Sequence, residues 1–394
     1  MTSGNRAILL LTLAAFASSS AFRLCDPMLP RLADEFGAST GEAAHAVTAF
    51  AVGYGVLQMF FGPIGDRYGK YRVVCLATCL CALGSLGAVL SSSLDMLVAS
   101  RFLSGATGAG IVPMAMAWIG DHVSYERRQA TLARFLTGTV MGMAFGQMAG
   151  GWFADALGWR WAFGAMLVIY LVVGALLFFE VRRQSALGEG KGLGAGSAGL
   201  LAQGRQVLGV PWARVVLATV FLEGLCVFGA LAFVPAYLHD RFDLSLTHAG
   251  GVMALYAAGG FAYTLVAGRV IKALGERGLA VSGGFVLCLA YLCYLLGPSW
   301  YWSVPASLMA GFGYYLLHAT LQTNATQMVP AARGTAVAWF ASCLFLGQAV
   351  GVALAGSVVD VTGAPVLFAV SAAALLLLGL FFSQALHRRA AIPA

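Results

Sequence analysis

GPIGDRYGKYR, residues 62–72, lies between two long apolar runs and alternates glycine with charge. Apolar runs of that length can cross a bilayer as helices, and the cations Arg67, Lys70 and Arg72 mark the connector between them as a cytoplasmic hinge loop. The rest of the chain extends the pattern. Of its 394 residues 60% are hydrophobic and 10% charged, with a mean hydropathy of +0.84, which leaves a water-soluble domain nowhere to bury its apolar surface. Apolar segments begin near Ala7, Ala44, Val73, Asp95, Thr131, Trp161, Arg214, His248, Leu279, Tyr301, Thr335 and Pro365. The expected fold is therefore an all-α polytopic membrane protein with twelve transmembrane helices.

The cations test this assignment independently. When the connectors alternate sides, all but five of the 23 lysines and arginines fall on one side, as the positive-inside rule requires of the cytoplasmic face. Arg31, Arg160 and Arg241 fall outside, and Arg23 and Arg101 fall within segments. Both termini are then cytoplasmic. The net charge of +7 reflects membrane orientation and gives no support to a nucleic-acid partner. The first segment has no small-residue cleavage site and is read as a retained helix. The eight cysteines sit in apolar runs without CxxC spacing and are read as packing residues.

Residues 181–213, rich in glycine and alanine, read as a flexible cytoplasmic linker between an N-terminal half, 1–180, and a C-terminal half, 214–394. The halves match at a constant offset of 205 positions: Pro30 falls on Pro235, Arg128 on Arg333, Phe135 on Phe340, Gly142 on Gly347, Gly146 on Gly351, Gly151 on Gly356, Asp155 on Asp360 and Gly158 on Gly363. Such a repeat predicts two pseudo-symmetric six-helix bundles, with a substrate site between them and alternating access around it. Gly142, Gly146, Gly150 and Gly151 on the fifth segment, and Gly347 and Gly351 on the eleventh, are spaced for close helix packing.

Twelve segments, the 6+6 repeat and the 62–72 block together resemble the major facilitator superfamily over nearly the whole chain. The family's second-to-third connector follows a Gly-x-x-x-Asp-Arg-x-Gly-basic pattern, matched here by Gly62, Asp66, Arg67, Gly69, Lys70 and Arg72, with Tyr71 as an extra residue before the last cation. The resemblance implies a conformational latch: Asp66 accepting from a neighbouring helix N-terminus and Arg67 forking onto a carboxylate across the bundle. Only Gly268, Arg269, Lys272 and Gly275 echo it in the second half. RFLSGATGAG, with Arg101, Gly105 and Gly108, is similar to a motif of the superfamily's exporters, with Ser104 where glutamine is usual. GMAFGQMAGG, residues 142–151, resembles the glycine-rich antiporter motif, with Gln147 at its proline position.

Ionisable groups inside a bilayer are costly and few here, so each is a candidate for function. Glu223, in FLEGLCVF, falls near mid-bilayer with no partner on its own helix and is the first candidate for proton coupling. Arg23 and Asp26 stand three apart in AFRLCDPMLP and can pair with each other or across the bundle. His318 and Gln322 stand one turn apart, and the imidazole suits a proton relay. Proton coupling is thus expected at Glu223, Asp26 and His318. Substrate contact is expected at Arg23, Arg101, Tyr54, Gln58, Gln147, Tyr256, His318 and Gln322. Gln348, Trp118, Tyr263 and Trp339 are further residues that can line a cavity.

No GxxxxGK[ST], HExxH or GxSxG occurs in the chain, so neither a built-in ATPase nor a hydrolase has visible chemistry. No cofactor or metal is expected; a proton gradient supplies the energy. The sequence reading is a bacterial inner-membrane transporter, monomeric, that exchanges protons for a small amphipathic compound, with multidrug efflux as the family expectation. A proton-coupled importer and a non-transporting membrane sensor stay open as alternatives.

Overall fold

The computed structural model describes residues 3–186 and 200–390, and every regular element among them is helical. The first span runs Ser3–Arg23, passes a short turn at Asp26–Met28 and resumes as Leu29–Phe36. The second covers Thr40–Tyr68, the third Lys70–Val89 and the fourth Leu94–His122. The fifth is Tyr125–Ala156 and the sixth Trp159–Ala186. After a short helix, Leu200–Gly209, come the seventh span, Pro211–Phe242, and a 51-residue run, Leu246–Leu296. The chain ends with Ser303–Gln327, Arg333–Thr362 and Ala364–Ala390.

The 51-residue run is two spans. Gly275 leaves helical geometry there (φ 61°, ψ 177°), a conformation glycine adopts without cost, and the chain folds back so that Tyr294 Oη lies 3.9 Å from Met253 Sδ. The eighth span is thus 246–274 and the ninth 276–296. Nine runs among the described residues are long and apolar enough to cross a membrane. One of them holds the eighth and ninth spans, and the more polar fifth and tenth complete the expected twelve. Even the shortest, with 20 residues, extends about 30 Å, enough for the hydrocarbon core.

The internal repeat is visible in the backbone. Pro30 and Pro235 both occupy the first turn of a short outer half-helix, Leu29–Phe36 and Val234–Phe242, where a missing N–H costs nothing. Gly158 and Gly363 make the corners after the fifth and eleventh spans at φ 99° and 84°. Gly142, Gly146 and Gly150 lie directly against the carbonyls of Phe16, Ser20 and Leu24 on the first span; Gly347 and Gly351 lie likewise against Phe221 and Leu225 on the seventh. A Cβ at any of the five would strike backbone, which cannot rotate away. Gly347→Val is therefore expected to destabilise the C-terminal bundle by about 1–3 kcal/mol, the usual range for overpacking. The check is the midpoint of thermal unfolding in detergent, with Gly334→Val, which meets open space, as the neutral comparison.

Two sequence expectations are corrected. The 62–72 block is no loop: helix continues through Tyr68, a single residue, Gly69 (φ 91°), turns the chain, and the third span starts at Lys70. Its charges sit at a helix end, where their long side chains reach water without unwinding the backbone. The 181–213 stretch is not a uniform flexible linker either. The sixth span extends to Ala186, and Leu200–Gly209 is helical, with Val207 buried and Gly204 against Trp339. Residues 187–199, including Lys191, lie outside the described residues.

Contacts between the two bundles join the second span to the eleventh and the fifth to the eighth. They are found from mid-depth, where Tyr54 meets Phe345 at 4.2 Å, to the end farthest from the Gly69 corner. There Gly41 touches Gly356, and Gly151 lies against Leu246. At the basic end, which carries Arg67, Lys70 and Arg72, a side chain added at Gly62, Gly268 or Gly334 would meet open space. Close backbone contact between the bundles is thus found at the distal end, whereas these three glycines of the basic end make none.

Candidate functional site

Two polar clusters face each other at mid-depth. In the first, Pro27 breaks the first span just beyond Arg23, which turns Asp26 back under the guanidinium. Arg23 Nη1 donates to Asp26 Oδ2 at 3.2 Å, and Gln147 Nε2 of the fifth span donates to the same oxygen at 3.1 Å. Both members of the pair are inside the protein, with side-chain exposures of 5% and 0%, not at the membrane surface. Arg23 also crosses the bundle interface: its guanidinium lies 4.4 Å from the ring centres of Phe22, beside it in sequence, and Phe228, on the seventh span.

The second cluster belongs to the C-terminal bundle. Glu223 is wholly buried on the seventh span, and its Oε2 lies 2.8 Å from Nδ1 of His318 on the tenth. Tyr314, one turn before His318, stacks on the imidazole at 4.7 Å and an interplanar angle of 17°. Phe228 packs against Tyr314 at 5.1 Å. A continuous path of rings thus joins the clusters, from Arg23 through Phe228 and Tyr314 to His318 and Glu223.

A narrow cleft opens beside them, lined by Arg23, Met143, Gln147, Leu231, Met253 and Tyr256. Four polar atoms at or near it are buried without a hydrogen-bond partner in the protein: Asp26 Oδ1, Gln147 Oε1, Glu223 Oε1 and the Tyr256 hydroxyl. Three of the four can only accept while the carboxyls are ionised. Buried acceptors left open are expensive, so this face is suited to a bound group that donates hydrogen bonds, or to a proton.

The other expected site residues fall elsewhere. Arg101 is 1% exposed and does not reach the membrane surface. Its guanidinium lies over Phe50, Nε donates to the Ala46 carbonyl at 3.4 Å, and Nη2 has no partner. Tyr54 sits at the seam between the second and eleventh spans, half-buried Gln58 lies one turn toward the basic end, and Gln322 is exposed. In the 62–72 block, Asp66 pairs with Lys70 at 3.7 Å, Lys70 also pairs with Asp121, and Arg67 lies over Tyr68. The cross-bundle contacts expected of Asp66 and Arg67 are not among those the described residues make; both side chains find partners within the N-terminal bundle instead.

Sequence reasoning missed Phe228 and Tyr314, since aromatic residues in apolar segments carry no signal of direction. It also missed Glu180, whose side chain is fully buried between Arg6 at 3.4 Å and Arg183 at 2.9 Å. An acid inside the apolar run LLFFEV was the signal available.

The family model described as Major Facilitator Superfamily matches residues 11–340. The uncharacterized MFS-type transporter YwfA of Bacillus subtilis (strain 168) is 25% identical over 353 residues, 89% of this chain and 84% of that protein. The multidrug export protein EmrB of Haemophilus influenzae is 26% identical over 155 residues, 39% of this chain and 30% of its own. Among solved structures, a bacterial homologue of the human lysosomal transporter Spinster, inward-facing and unoccupied, superposes with a TM-score of 0.75 at 17% identity, covering 98% of this chain and 96% of that one.

Proposed function

We propose that this chain, which belongs to the Major Facilitator Superfamily, exports a small, largely apolar compound bearing a hydrogen-bond donor, in exchange for protons. The observation that carries the reading is the pair of facing clusters, Arg23–Asp26–Gln147 and Glu223–His318, with unpartnered acceptors around one cleft. By the positive-inside rule the basic end faces the cytoplasm. A compound entering from there meets methionine and aromatic walls and the open acceptors Gln147 Oε1 and Asp26 Oδ1. Charges in the cleft are already paired, which favours amphipathic over strongly charged substrates.

Exchange needs only competition at one polar layer. Glu223 holds a proton in one state and, once it is lost to the cytoplasm, His318 holds the carboxylate. A substrate bound beside Tyr256 then occupies the cleft while it reopens at the other side, where a new proton on Glu223 favours release. The differential affinity of the two conformations for proton and substrate is what moves the cycle. Relatives whose names carry export or efflux, EmrB among them, support the outward direction.

The test is proton flux in energised everted vesicles, read by a pH-sensitive dye as cationic, neutral and anionic compounds are added. Dequenching by an amphipathic donor-bearing compound is the expected result. Dequenching only when the compound is loaded into the vesicle lumen would mean import, since a symporter carries proton and compound out together, and silence across all three panels would remove the transport reading.

A further inference from the structure

The distal seal is made by two carboxylates, one from each bundle, each capping a helix of the other. Asp155, in the last turn of the fifth span, accepts at Oδ2 from the backbone N–H of Thr247 (2.7 Å) and from its hydroxyl (2.7 Å), in the first turn of the eighth span. Asp360, at the end of the eleventh span, accepts at Oδ1 from the N–H of Gly41 (3.0 Å) and at Oδ2 from the hydroxyl of Ser39 (2.6 Å), at the start of the second. Both capped helices begin with a serine N-cap, Ser39 and Ser245, and in both the donating N–H lies two residues further on.

The two contacts are copies of one device. Asp155 and Asp360 are equivalent positions of the internal repeat, and a glycine one turn earlier, Gly151 or Gly356, is equivalent too. At each glycine the backbones of the two bundles touch: Gly151 lies against the Leu246 carbonyl, and the Gly356 Cβ position is 3.0 Å from the backbone of Gly41. An aspartate at a helix C-terminus is disfavoured by its own helix dipole. Its carboxylate gains there by facing the N-terminus of the helix opposite, where unpaired N–H groups and the positive end of a dipole meet it. That gain exists only while the distal end is closed.

We propose that Asp155 and Asp360 form a twofold-related clamp that holds the distal gate shut, so that the balance between the two access states is set by two equivalent carboxylate caps. The clamp rests on alternating access between the bundles, not on the direction of transport or the coupling ion. It differs from the 62–72 latch in place: it sits at the opposite end of the molecule, where each carboxylate accepts from a backbone N–H and a side-chain hydroxyl of the other bundle.

The experiment needs neither substrate nor gradient. In a variant whose eight cysteines are replaced, Ala257, which lines the central cleft, becomes the single reporter as Ala257→Cys. A membrane-impermeant maleimide is applied from the distal side in right-side-out vesicles. Asp155→Asn and Asp360→Asn are each expected to raise the labelling rate about tenfold, the factor that corresponds to about 1.4 kcal/mol for one charge-assisted bond. The double variant is expected to show about the product. Asp34→Asn, an exposed carboxylate at the same end, should leave the rate unchanged. Unaltered labelling in both single variants would overturn the proposal, as would an equal rise with Asp34→Asn. The single variants decide the matter even where the double one does not fold.

Discussion

Glu223→Gln is expected to abolish substrate-driven proton movement while leaving substrate binding within a few-fold of the original protein. Glutamine keeps the volume of the side chain and can still accept from His318 through its amide oxygen, so the seventh and tenth spans keep their contact. What it loses is the capacity to take and release a proton. A buried carboxylate with one free oxygen and one imidazole partner is the group in this interface best placed to do that, since Asp26 is already held by both Arg23 and Gln147. Dye dequenching in everted vesicles and ligand binding by tryptophan quenching measure the two properties separately. Loss of binding together with flux would make Glu223 a substrate ligand. Retained flux would remove it as the proton carrier and turn attention to Asp26. His318→Gln is the companion: it removes the imidazole that partners the Glu223 carboxylate, so turnover is expected to fall while its dependence on Glu223 persists.

What could be read from the chain and what could not follow from how each feature is encoded. Spans are written in the length of apolar runs, which the bilayer imposes, so all twelve were legible. The repeat was legible because glycines such as Gly146 and Gly351 are fixed by backbone contact across a helix pair, and a close approach admits no other residue. The Gly69 corner was mistaken for a loop because charge and glycine mark both, and only the backbone shows that one positive φ suffices to turn the chain. The pairing of Arg23 with Asp26 was legible from spacing, whereas its packing on Phe228 was not, since no pattern in one bundle names its neighbour in the other. The partners of Asp155 and Asp360 were hidden for a further reason: they include backbone N–H groups, which almost any residue provides.

Arg23→Ala is expected to be among the most damaging single changes in the molecule, costing about 3–5 kcal/mol, because it leaves Asp26 buried without its cation. Gln147 would still donate one hydrogen bond, but a neutral amide does not balance a carboxylate in an apolar surround. The same change removes the guanidinium from between Phe22 and Phe228, a contact that ties the first span to the seventh. These two losses can be separated. Adding Asp26→Asn to Arg23→Ala removes the stranded charge without restoring the ring contact, so most of the stability should return while the link between bundles stays broken. Thermal unfolding midpoints of the two single variants and the double variant form the cycle that apportions the terms. A double variant as unstable as Arg23→Ala would mean that ring stacking, not charge balance, dominates. If stability returns in the double variant, and Asp26→Asn alone keeps coupled flux while the double variant does not, Arg23 acts chiefly by joining the bundles, and the path from Arg23 through Phe228 and Tyr314 to Glu223 is the physical route by which one cluster feels the other.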